Sequence, residues 1–179
     1  MTAIDIEEFI SCERLQRKFS KYSINSCSCN LRNYKLPFSD DEFHAVIMCE
    51  VLEHLNFDPL PVIEEINRAM QPNGLLYIIV PNIASGSKRL RLLEGKPVQL
   101  PIKQFCSQLQ ENTPNIVGLH WIEYTADELN EMLEMMDFKV VNQIYISDRP
   151  TSPPTRLQNT MSKKFLDMFS ICLLSREGF

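Results

Sequence analysis

The sequence predicts an α/β layered fold, on three observations. Strand-like and helix-like periodicities alternate along the chain, as they do in β–α units. Two short runs, residues 45–49 and 75–80, are apolar without interruption, which is how strands buried on both faces of a parallel sheet read. The helical stretches after these runs carry explicit start signals: Asp58-Pro59 ahead of one, and Thr125 with Glu128 ahead of another.

Each element follows from local chemistry. Residues 2–6 read as a short strand ending in Asp5. Residues 7–19 read as one helix, with Phe9, Cys12, Leu15 and Phe19 at helical spacing. Glu7 and Glu8 at its start and Arg17, Lys18 and Lys21 at its end suit the helix dipole. Residues 24–31 alternate, which sets Cys27, Cys29 and Leu31 on one side of a strand. Residues 45–49 form a central strand. Asp58 caps the next helix, Pro59 takes its first position, and Leu60, Ile63, Ile66, Ala69 and Met70 form its buried stripe. Gln71-Pro72-Asn73-Gly74 stops it and turns the chain into the strand 75–80, which Pro81 ends.

Further on, residues 88–93 make a short helix before Gly95. Residues 97–117 read as an insertion or loop, with a helix over 104–109. Thr125 and Glu128 form a capping box for a helix whose apolar face is Leu129, Met132, Leu133 and Met136. Residues 139–146 read as a strand, and 147–155, with three prolines, as a loop. A helix over 161–169 and a last strand over 170–175 close the chain. No internal repeat interrupts the pattern, so one domain, 1–179, is the economical organisation.

Composition narrows the function classes. Hydrophobic residues make up 44% and charged residues 23%, a globular balance. The net charge of −5 argues against nucleic acid held by bulk charge. The longest apolar run, 75–80, falls far short of the ~20 residues of a membrane span. The amino terminus has no basic segment ahead of an apolar one, so a cytoplasmic location is expected. The six cysteines show no zinc spacing, and a chain of this size does not need disulfides. Glycine is scarce: five residues, where an average chain of this length holds roughly a dozen. The first is Gly74. Both G-x-G-x-x-G and G-x-x-x-x-G-K are therefore excluded.

Three stretches carry more than secondary structure. The first is Leu36-Pro37-Phe38-Ser39-Asp40-Asp41-Glu42-Phe43, running through the strand to Glu50-Val51-Leu52-Glu53-His54. The second is Arg68-Ala69-Met70-Gln71-Pro72-Asn73-Gly74, followed by a strand and Pro81-Asn82. The third is His120-Trp121-Ile122-Glu123-Tyr124-Thr125, followed by the capped helix and Asp137-Phe138. In order and spacing this series resembles the class I S-adenosylmethionine-dependent methyltransferases, in particular the type 11 branch. That family shows L-P-F-x-D-x-x-F-D, E-x-L-E-H, R-x-L-K-P-G-G, H-x-x-x-(Y/F)-T-x-x-E-L and G-F in the same sequence.

The resemblance implies a Rossmann-like sheet with helices on both faces. It makes residues 1–82 a partial cofactor-binding half. It makes 83–179 a substrate-side insertion, the capped helix and C-terminal strands. It implies methyl transfer from S-adenosylmethionine to a small molecule, of sugar, lipid or quinone type, with no nucleic acid, no membrane span and no particular oligomeric state. Asp5 stands where the family's second strand ends in an acid that accepts hydrogen bonds from the ribose diol. Asn30, Leu31, Cys49 and Glu50 fall at further cofactor positions. Asn30 stands where an acid often meets the adenine amine, and its amide oxygen can accept the same bond.

The departures matter as much. If residues 2–6 are the second strand, the family's first strand, its glycine-rich turn and the following helix are missing, which implies impaired cofactor binding. The alternative is then a truncated or degenerate relative that acts as a binding scaffold, or a fragment. His44 replaces the Asp of F-D. Asn73 replaces the first Gly of P-G-G, and Asp137 the Gly before Phe138. Both of the last two tolerate the left-handed backbone.

Glu50, Glu53 and His54 would share one face if Glu50 began a helix. Three readings stay open for them. They cap a helix and pair locally. They line the pocket, with His54 or His120 as the base that takes a proton from the methyl acceptor. Or they hold magnesium with His120 as a fourth ligand, as in branches that act on RNA ends and quinone precursors. Trp121 reads as core packing, and Lys88, Arg89 and Arg91 as a solvated helix face.

Overall fold

The computed structural model describes residues 1–109, 119–146 and 169–176. Its strands form two sheets. In the first, β1 (Thr2–Asp5) pairs in parallel with β2 (Asn25–Ser28). The second contains β3 (Phe43–Cys49), β4 (Met70–Pro81), β5 (Phe138–Ile146) and β6 (Phe169–Arg176), in the order β3-β4-β6-β5. There β3 and β4 run parallel, whereas β6 is antiparallel to both β4 and β5. The helices are α1 (Glu7–Ile10), α2 (Glu13–Lys21), α3 (Leu60–Ala69), α4 (Gly86–Leu93), α5 (Ile102–Gln108) and α6 (Ala126–Glu134).

The core lies where α3 and α6 meet the second sheet. Val62, Ile63 and Ile66 of α3 and Leu129 and Leu133 of α6 are buried with Met48, Leu76, Ile78, Val80 and Leu174 of the strands. The capping box at Thr125 is formed: its side chain accepts from the Glu128 amide, and Glu128 reaches back to the Thr125 amide. Asp58 accepts from the Leu60 amide at 3.0 Å and starts α3. Asp137 (φ 60°) and Asn73 (φ 62°) both take the left-handed conformation.

Several expectations need correction. The helix over 7–19 is two helices. The Ser11 hydroxyl donates to the Glu7 carbonyl at 2.7 Å, and the chain restarts at Glu13. No residue of α2 is buried, so its apolar stripe only half covers the sheet. The strand over 24–31 stops at Ser28; Leu31 starts a turn of 3-10 helix, Leu31–Asn33, capped by the Asn30 side chain. The strand over 45–49 is not buried on both faces: Ile47 is 65% exposed, and among its residues only Met48 is buried. The run 75–80 is not buried on both faces either, since Leu75 is 40% exposed, and Met70 belongs to β4 rather than to the helix stripe, so residues 71–74 are no turn between helix and strand. They form a bulge inside β4, where pairing slips from Phe43 opposite Met70 to Ala45 opposite Leu75. Gly74 is required there, because a Cβ would sit 2.8 Å from the Gln71 carbonyl oxygen. Glu50 starts no helix. It has a φ of 54°, and the helical turn that follows is Leu52–His54. Phe169 belongs to β6; the expected loop over 147–155 and the rest of the helix over 161–169 lie outside the described residues.

One latch fixes the approach to the site. Arg68 on α3 forks onto both oxygens of Glu65, bonds Asp40 at 2.7 Å and donates to the Phe38 carbonyl at 3.0 Å. Glu65 also accepts from the Leu36 amide at 2.9 Å. The arginine holds the Glu65 carboxyl down at about 2. The segment ahead of β3 is thus clamped to α3 by a bidentate pair and backbone bonds.

Candidate functional site

The parallel strands β3 and β4 deliver their C-terminal ends side by side, the place where open α/β sheets build sites. After β3 the chain turns through Glu50 into the 3-10 turn Leu52–His54. After β4, Asn82 bridges to Tyr124, and the Ile83 amide donates to the Tyr124 carbonyl at 3.2 Å. The Trp121 amide donates to the Glu53 carbonyl at 2.8 Å. These backbone bonds bring the 119–125 segment against the turn after β3. Residues 66 positions apart become neighbours: the His54 and His120 rings meet edge-to-face with centroids 4.9 Å apart.

Hydrogen bonding sets the state of each imidazole. His54 Nδ1 lies 2.9 Å from the Leu119 carbonyl oxygen. A carbonyl only accepts, so Nδ1 carries the proton and the neutral ring presents Nε2 as a lone pair. His120 Nδ1 lies 2.8 Å from Glu123 Oε1, and by the same logic it donates and leaves Nε2 as an acceptor. Burial pushes the His120 pKa down, with smaller contributions from His54 and from Lys88. The ring is therefore neutral at neutral pH.

Glu53 completes the cluster. It is wholly buried, and neither carboxylate oxygen has a hydrogen-bond partner among the described residues. His54 Nε2 stands 3.8 Å from its Oε1. Burial raises the Glu53 carboxyl to about 7, so it exchanges a proton near neutrality beside two imidazoles.

Of the sequence candidates, the structure brings together Glu53, His54 and His120, whose ligand atoms lie within 4.8 Å of one another. Asp5, Asn30, Leu31, Cys49 and Glu50 are not members of that cluster. Asp5 ends β1, where its Oδ1 accepts from the Ile6 amide at 2.8 Å. Its other oxygen remains available to a vicinal diol, which fits the ribose end of a nucleoside cofactor. The Asn30 side-chain oxygen accepts from the Arg32 amide at 3.0 Å, which leaves it a second lone pair. Cys49 ends β3 with its side chain exposed.

Magnesium takes a shell of oxygen donors. With Glu50 left out, the set here is one carboxylate and two imidazoles, and it does not fit that ion. Such a set suits a first-row transition ion instead.

Sequence reasoning missed Glu123 and Lys88. Lys88 is not on a solvated face: its side chain is 18% exposed and pairs with Glu123, itself 15% exposed. The signal available was the i, i+3 spacing of His120 and Glu123. Trp121 is only half-buried, with Phe105 packed edge-on at 6.0 Å.

Comparison with known proteins follows the same lines. Residues 1–78 match a methyltransferase domain family of the type 11 kind. An uncharacterized methyltransferase of Schizosaccharomyces pombe is 40% identical over 62 residues, which are 34% of this chain and 22% of that protein. The matched segment thus spans about a fifth of the curated relative. Among solved structures, a putative methyltransferase of Haloferax volcanii, determined in complex with the Trm112 methyltransferase activator, superposes with a TM-score of 0.63. It is 15% identical, over 99% of this chain and 72% of that one. A possible histamine N-methyltransferase of Thermotoga maritima gives 0.60 at 13% identity, over 98% and 72%. At these identities the structures speak for the fold.

Proposed function

We propose that this chain, a member of the class I S-adenosylmethionine-dependent methyltransferase family, methylates a small molecule at an oxygen or nitrogen that loses a proton, with His120 as the proton acceptor. The observation that carries the reading is the pair of imidazoles where the 119–125 segment meets the turn after β3. Each has its Nδ1 committed to an oxygen, so each offers Nε2.

When bound, S-adenosylmethionine supplies a methyl group activated by the sulfonium charge. Asp5 would accept hydrogen bonds from the ribose diol, and Asn30, Leu31, Cys49 and Glu50 would line the rest of the nucleoside. His120, held neutral by burial, takes the proton from the acceptor at Nε2. His54 Nε2 and the buried Glu53 carboxyl, 3.8 Å apart, form the floor of the pocket without a hydrogen bond between them. Magnesium has no part in the reading. The acceptor class, whether sugar, lipid or quinone-type, is left to experiment.

A second reading is favoured by one observation: residues 1–73 contain no glycine, so no glycine-lined turn among them lets backbone approach the methionine end of the cofactor. Under it the chain is a methyltransferase-like scaffold that binds a partner without catalysis. Calorimetry with S-adenosylmethionine separates the two. Saturable binding that weakens at least tenfold in Asp5→Ala supports the enzyme reading. No heat of binding at millimolar cofactor sinks it in favour of the scaffold.

A further inference from the structure

We infer that Glu123, pinned by Lys88 of α4, is a positioning residue that fixes which nitrogen of His120 carries the proton. The inference rests on the reading of His120 as the proton acceptor, and it adds how that acceptor is prepared.

An unconstrained neutral imidazole carries its proton at either nitrogen, and rotation about χ2 exchanges their places. A base needs one defined lone pair, aimed one way. The Glu123 carboxylate meets His120 Nδ1 at 2.8 Å, and a carboxylate that is ionised only accepts. The Lys88 ammonium pairs with the other oxygen, Oε2, with both side chains less than a fifth exposed. The two oxygens thus divide their work, one for the cation and one for the imidazole.

The charges also explain why a lysine is there. A carboxylate alone beside an imidazole favours imidazolium, which has no lone pair to offer. The Lys88 charge opposes that effect, so the ring gains orientation without gaining a resident proton. The groups facing His120 are Glu123, Lys88, His54 and Glu53; of these only Glu123 is an ionised acceptor within hydrogen-bond distance of its ring. The arrangement spans three parts of the chain. Lys88 comes from α4, Glu123 from the segment before α6, and the facing His54 from the turn after β3.

The test is the tautomer, read by nitrogen and carbon NMR of ring-labelled histidine in the full chain at one fixed pH near 8, in the presence of EDTA. His120 is expected as the Nδ1–H form in the wild type and in Lys88→Met. In Glu123→Ala the ring should shift mainly to the Nε2–H form that free imidazole side chains prefer. A wild-type His120 protonated at Nε2 overturns the inference, and so does an unchanged tautomer in Glu123→Ala. If that variant does not fold, the wild-type tautomer alone decides. Turnover then separates this inference from the reading beneath it. With a methyl acceptor in hand, Glu123→Ala should lower kcat about 10–100-fold with KM little changed, because the lone pair is misdirected rather than lost. If His120→Gln leaves kcat untouched while the tautomer behaves as expected, the positioning stands and the role of His120 as base falls.

Discussion

His54 and His120 face each other edge-on at 4.9 Å, and each has its Nδ1 held by an oxygen acceptor. Two rings so fixed turn both Nε2 atoms into acceptors around a buried carboxyl, Glu53. Burial raises the Glu53 carboxyl to about 7, so it exchanges a proton near neutrality. The expectations below follow from that crowding and from the latch beneath it.

Glu53 makes stability depend on pH in a defined direction. Its carboxyl titrates at about 7 in the folded chain, against 4.5 when unperturbed. Between those values the folded state binds more protons than the unfolded state. Stability is therefore full below about pH 4.5 and falls as pH rises toward 7, by up to about 3 kcal/mol. Glu53→Gln should flatten that slope and exceed the wild type in stability at pH 8. Urea unfolding across the range reads both; parallel curves for the two proteins would refute the buried carboxyl.

Arg68 works in the opposite window. It depresses Glu65 to about 2, so the pair stabilises the fold fully above about pH 4.5 and is lost as pH falls toward 2. Arg68→Ala removes bonds to Glu65, Asp40 and the Phe38 carbonyl together. It should cost about 2–3 kcal/mol at pH 7. Arg68→Lys should recover less than half, since an ammonium cannot fork onto two carboxylate oxygens. Full recovery with lysine would mean that the geometry of the fork is irrelevant.

Gly74 is set by space rather than by its backbone angle. A methyl there meets the Gln71 carbonyl oxygen at 2.8 Å and the His44 carbonyl oxygen at 3.2 Å. Gly74→Ala should destabilise by about 1–3 kcal/mol, and Asn73→Gly, next door at φ 62°, should be tolerated. The denaturation midpoints of the two variants give the comparison, and a neutral Gly74→Ala would show that the bulge relaxes.

Metal dependence gives a further check. Because Glu53, His54 and His120 supply a single carboxylate, millimolar magnesium should leave the thermal midpoint and cofactor binding unchanged, and so should EDTA added after it. A magnesium-dependent rise in either quantity would show that Glu50 swings in as a second carboxylate.

Much of the fold was legible from residue chemistry. The capping box at Thr125 and Glu128, the Asp58 start of α3, the left-handed Asn73 and Asp137 and the strand of residues 75–80 are all local effects. Each depends on groups within four or five positions, and each is present in the structure. What failed did so for reasons that apolar periodicity does not carry. The break at Ser11 depends on a hydroxyl capturing a carbonyl. The exposure of Ile47 depends on what lies across β3, which apolarity cannot report. Spacing alone predicts Glu50 on a helix, yet its φ of 54° lies outside the helical region, and the helical turn begins only at Leu52.

The sequence by itself determined the order of the motifs and the identities of Glu53, His54 and His120 within them, because residue types and spacings are written in it. Only the tertiary structure decided that these three meet while Glu50 does not, and that Lys88 and Glu123 stand behind His120. The physical reason is that hydrogen bonds between the ends of β3 and β4 and the 119–125 segment join positions more than forty residues apart. Those bonds fix tautomers, burial and charge pairing, none of which has a period or a spacing to read.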